Sequence, residues 1–140
     1  MLADGHDDLI AWTGRHVEAL ARLWQARIEL AVAGWSETID RADRRARRPA
    51  TMPDSFAEDA VRRVERSLRR VDRFVVGSTC IHRALAAQRM LIRRGLATDV
   101  VIGLRRGERA IEGHAWIEAR LPDRVLRAFT TDEAGYSAVS

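Results

Sequence analysis

Two side chains in this sequence of 140 residues have the types needed for nucleophilic acyl chemistry. Cys80 is the one cysteine, and it follows Gly77-Ser78-Thr79, a run suited to ending one element and capping the next. A helix beginning at Cys80 aims unpaired backbone N–H groups and its positive dipole end at the thiol, which stabilises a thiolate. The same N–H groups can hold an oxyanion. His114 stands in Gly113-His114-Ala115-Trp116-Ile117-Glu118 and can serve as a base that takes the thiol proton and later gives it to a leaving amine. Each residue alone has a blander reading. Free cysteine is commonly a small core residue, and a lone strand histidine is commonly structural.

The elements that must position these groups follow from periodicity. Residues 7 to about 42 are helical, with Leu9, Trp12, Leu20, Leu23, Trp24, Ile28, Trp35 and Ile39 at three- and four-residue steps. The stripe is broad, so this helix is well buried or contacts a partner, and Gly34 is a candidate break. Arg44 to Pro53 reads as a connector, because proline disfavours a helical predecessor. A second helix, capped at Asp54 or Ser55, runs to about Arg73 with Val61, Val64, Leu68 and Val71 as its apolar stripe. Ser78 or Thr79 caps the Cys80 helix, and Gly95 stops it. The period then becomes two. Strands are expected at Val100–Leu104, Ile111–Arg120 and Arg124–Phe129, with a turn at Pro122-Asp123. Helices followed by a short antiparallel meander make an α+β arrangement. The domain division is 1–54, an N-terminal helical region with an Arg/Pro connector, and 55–140, the core with the reactive residues.

Composition removes several function classes. The 24 basic residues are all Arg, yet 20 acidic residues leave a net charge of only +4, which excludes a histone-like tail. No apolar run approaches the roughly 20 residues a membrane span needs, so no membrane partner is expected. The start carries Asp4, His6, Asp7 and Asp8, unlike a basic secretory signal, and a cytoplasmic location is expected. The four His and single Cys lack paired metal-ligand spacing, and the nine Gly form no phosphate loop. Neither metal nor cofactor is expected.

Taken together, several segments carry a family resemblance. They are Thr79-Cys80-Ile81-His82-Arg83-Ala84-Leu85, Leu91-Ile92-Arg93-Arg94-Gly95, Asp99-Val100-Val101-Ile102-Gly103-Leu104 and His114-Ala115-Trp116-Ile117-Glu118. This set resembles the transglutaminase-like cysteine peptidase of lasso-peptide biosynthesis, in the stand-alone form split from its leader-recognition domain. Motifs cover roughly residues 55 to 130. The resemblance implies a papain-like or transglutaminase-like core, with the Cys helix on an antiparallel sheet. It implies removal of a leader peptide from a ribosomally made precursor, with Cys80 as nucleophile and His114 as general base. It also implies a separate leader-recognition protein, a RiPP recognition element, and a neighbouring ATP-dependent lasso cyclase.

The family often has an Asp beyond a Val-Leu pair, but here the stretch reads Val125-Leu126-Arg127-Ala128-Phe129. A two-residue Pro122-Asp123 loop pairs His114 with Thr131 and puts Asp132 beside that register. Asp132 is therefore one candidate for the group that orients His114; a backbone carbonyl or Thr130 is the other. Glu118 lies about 13 Å along the strand, too far for a direct bond. His82 lies about 200° round the helix from Cys80, so it points elsewhere, as a surface or packing residue. Competing readings are a nucleic-acid-binding module, motivated by Arg62, Arg63, Arg66, Arg69 and Arg70 on one helix, another transglutaminase-like acyl transferase, or an inactive scaffold.

Overall fold

In a computed structural model, which describes residues 2–130 and 137–139, the helical periodicities resolve into four helices and a short 3-10 turn. Helix α1 spans Leu2–Ala33, α2 Trp35–Ala46, α3 Asp54–Val71 and α4 Cys80–Arg93; Asp72–Phe74 forms the 3-10 turn. Four strands follow: β1 Thr98–Arg106, β2 Ile111–Arg120, β3 Val125–Ala128 and β4 Ser137–Val139. The expected α+β, papain-like arrangement is the one observed.

Glycine sets two of the boundaries. Gly34 has φ +82°, which ends α1 and lets α2 leave in a new direction. Gly95, at φ +89°, closes α4, and its carbonyl accepts N–H bonds from Thr51 and Met52 at 2.7 and 2.8 Å. The connector between α2 and α3 is thereby tied to the end of α4.

The sheet is antiparallel in the order β3-β2-β1-β4. The sequence reading has three strands; β4 is an addition, pairing Ile102 with Val139 on the far side of β1. The turn holds as expected, with Leu121 N–H donating to Arg124 O at 2.8 Å and Arg120 opposite Val125. One sheet face joins the core through Ala115, Ile117, Ala119 and Ala128. The other carries His114, Trp116 and Glu118, since alternate residues point to opposite faces.

Helix α4 is the hub. It packs against α1, α2, α3, β1 and β2, and every residue from Ala84 to Leu91 is buried. Helix α1 supplies Ala19, Leu23 and Ala26 to the same apolar cluster, and α3 supplies Val61, Val64 and Leu68. Two buried polar side chains reach across elements. Gln88 Nε2 donates to Ala42 O at 2.8 Å and Thr98 O at 3.2 Å, joining α2, α4 and β1. Arg89, only 5% exposed, pairs with Glu29 of α1. One flank of the N-terminal helices stays open: Trp24, Ile28, Val32 and Trp35 are exposed. Among the described residues, no helix is long and apolar enough to cross a membrane.

The arginines of α3 are largely spoken for. Arg62, Arg63 and Arg69 pair with Glu58, Asp59 and Glu65 one turn earlier, at 2.6, 2.8 and 3.7 Å. Arg70 lies over the Trp12 ring at 5.7 Å. This face is a lattice of i,i+4 pairs, each worth about 0.3–0.5 kcal/mol, rather than a row of unpaired cations.

Candidate active site

Cys80 is the first residue of α4, as expected, with Thr79 as the N-cap in an extended conformation. It is partly buried and packs against the apolar core. The loop before it is held from both sides. Arg27 of α1 donates to Gly77 O at 3.1 Å, and Arg83 of α4 reaches back to Asp72 of the 3-10 turn at 2.9 Å. His82 has a more definite role than the surface or packing position expected of it. It is buried, and its Nδ1 accepts the Thr79 backbone N–H at 3.0 Å, completing a capping box in the first turn. Burial holds its pKa below the ordinary histidine value; Arg27 and Arg83 push the same way and Asp72 opposes.

His114 lies on β2 directly opposite Gly103 of β1, so no side chain crowds it from that strand. Its Nε2 is 2.8 Å from the carbonyl oxygen of Phe129. A carbonyl can only accept, so Nε2 carries the hydrogen, and in the neutral ring the lone pair sits on Nδ1. Trp116 is buried beside it, with ring centroids 6.0 Å apart and planes at 27°. Glu118 accepts from Trp116 Nε1 at 3.2 Å and from Arg127 Nε at 3.1 Å. It is engaged away from His114, as its distance along the strand requires.

Asp132, the carboxylate candidate for orienting His114, lies outside the described residues. The described orienting contact is the alternative, a backbone carbonyl, and Phe129 supplies it. This comes about because the β2–β3 ladder ends at Ala128. Phe129 then turns to φ +62°, the one non-glycine residue at positive φ among the described residues. That conformation costs about 1–2 kcal/mol for an L residue. Its N–H donates to Glu65 Oε2 at 2.6 Å, and a hydrogen bond to a charged group contributes about 1.5–3 kcal/mol, enough to offset the strain. The Phe129 ring is buried, with the Arg69 guanidinium 5.2 Å from its centroid.

The fold packs α4, which begins at Cys80, against β2, the strand that carries His114. Among the described residues, no hydrogen bond joins the Cys80 thiol to His114. Neither Phe129 nor Glu65 stands out as a site residue in the sequence. No glycine or asparagine announces the left-handed turn at Phe129. Glu65 sits beside Val64 at the edge of the apolar stripe of α3, and that placement is the one signal it offers. Among the described residues, no group of three or more His, Cys, Asp or Glu side chains could hold a metal ion.

Compared with known proteins, the chain finds no significant match among curated proteins or solved structures. Residues 13–138 do match the transglutaminase-like superfamily, a fold shared by cysteine proteases and acyl transferases. That span takes in α4, β1, β2 and β3 whole, together with most of α1, and the chain belongs to the transglutaminase-like superfamily.

Proposed function

We propose that the chain is a cysteine peptidase that removes the leader from a ribosomally made lasso-peptide precursor. The observation that carries the reading is the His114 Nε2–H bond to Phe129 O, which leaves the Nδ1 lone pair as the base, on a strand packed against the helix that starts at Cys80. His114 Nδ1 takes the thiol proton, and the sulfur attacks the scissile carbonyl carbon. The backbone N–H groups of the first turn of α4 stabilise the oxyanion. The imidazolium returns its proton to the leaving amine as the C–N bond breaks, giving a thioester. Water, deprotonated by His114, then attacks the thioester and regenerates the thiol.

The resemblance in the Cys80, Arg93-Arg94-Gly95 and His114-Ala115-Trp116 segments supports the leader-peptidase assignment over a general acyl transferase. The leader peptide is delivered by a separate leader-recognition protein, and the freed core passes to an ATP-dependent cyclase. The test incubates a leader-plus-core precursor with the chain and that recognition protein, and follows cleavage by mass spectrometry. Cys80→Ala is expected to abolish cleavage with the circular dichroism spectrum unchanged. Undiminished cleavage by that variant would sink the reading.

A further inference from the structure

Phe129 is a bulky residue in a conformation that L side chains rarely adopt, and both of its backbone polar groups are committed. The N–H donates to Glu65 and the carbonyl accepts from His114. These groups flank one Cα, so once the N–H is anchored, the φ/ψ pair of Phe129 decides where the carbonyl points. Arg69, one helical turn after Glu65, braces the arrangement: it lies over the Phe129 ring and 3.7 Å from Glu65 Oε2. Helix α3 holds neither reactive group, yet through this corner it sets the angle of the acceptor that orients the imidazole.

We propose that Glu65 is a positioning residue for His114, acting through the backbone of Phe129. The proposal rests on the reading of His114 as the base. Without an acceptor at position 65, the buried Phe129 N–H is orphaned and the backbone relaxes toward negative φ, turning its carbonyl away. His114 then loses the Nε2–H contact to this carbonyl, which favours one tautomer and ring direction. Gln at position 65 keeps a carbonyl acceptor at the same reach. Asp keeps the charge but shortens the reach by roughly 1.5 Å. Ala removes both.

The experiment uses the full chain and two readouts, the His114 ring tautomer from long-range proton–nitrogen NMR and the rate of Cys80 alkylation by iodoacetamide. Wild type and Glu65→Gln are expected to show the Nε2–H tautomer, with alkylation rates within about threefold of each other. Glu65→Ala and Glu65→Asp are expected to show mixed tautomers and alkylation slowed roughly tenfold. If Glu65→Ala fails to fold, the Asp and Gln variants decide. A purely structural Glu65 would lower the melting temperature of the variants and leave the tautomer alone, and that result overturns the proposal. The two readings separate cleanly. An unchanged tautomer alongside precursor cleavage by wild type removes only the positioning role. A tautomer shift with no cleavage by wild type removes only the peptidase assignment.

Discussion

Acidification acts on the start of α4 through His82. Its Nδ1 accepts the Thr79 N–H, which a protonated ring cannot do. Burial keeps the folded-state pKa below the ordinary value, so as pH falls the unfolded chain takes up the proton first. The stabilising contribution is therefore complete above the unfolded value of about 6.5 and is lost as pH falls from there toward the folded-state value. The size follows from the bond at stake: a lost N-terminal cap costs about 1 kcal/mol, and a cation at the positive end of the α4 dipole adds in the same direction. For a chain of this length that is about 2–4 °C in melting temperature. The assay compares thermal melts of wild type and His82→Gln between about pH 8 and about pH 5. Gln can accept the same N–H without titrating. The other histidines are common to both chains, so the difference isolates His82. Wild type is expected to lose about 2–4 °C more than the variant on acidification. Equal losses in the two chains would refute the reasoning.

Further expectations concern the scaffold of the site. Glu29→Gln leaves the buried Arg89 guanidinium without its carboxylate and is expected to destabilise by about 3–5 kcal/mol in urea, whereas Glu29→Leu combined with Arg89→Leu should cost less than the single change. Gly34→Ala meets open space, so it carries only the backbone cost of positive φ, about 1 kcal/mol. Gly95→Ala carries that cost and also drives its Cβ against Thr51, so its melting temperature should fall clearly further; equal shifts would count against the close approach. Leu85→Ala opens a cavity in a fully buried site of α4, and a loss of about 2–5 kcal/mol is expected from chemical denaturation.

What could be read from the sequence is what local chemistry dictates. Thr79 before Cys80 and Gly95 after Arg94 mark the ends of α4, because capping and left-handed termination depend on a few adjacent residues. The strand alternation placed His114, Trp116 and Glu118 on one face, and the Pro122-Asp123 loop gave the register of β3. What escaped is what arises from distant pairing. β4 has three residues and no alternation long enough to register. The turn at Phe129 depends on Glu65, 64 positions earlier, and no local pattern announces it. By its angle round the helix His82 reads as a surface or packing residue, yet position N3 of the capping box gives it the Thr79 backbone N–H as a partner.

The burial of α4 also has a consequence for how the molecule breathes. Its backbone amides from Ala84 to Leu91 are enclosed by three helices and two strands, so local opening cannot expose them. They should exchange with deuterium only through global unfolding, while the exposed first turns of α3 exchange by fraying. Cys80 thus stands at the end of the helix expected to exchange slowest among the described elements. Under the proposed peptidase reading, the scissile carbonyl must come to a thiol whose direction is set by the whole core, and any motion that reading requires falls to the loops around it.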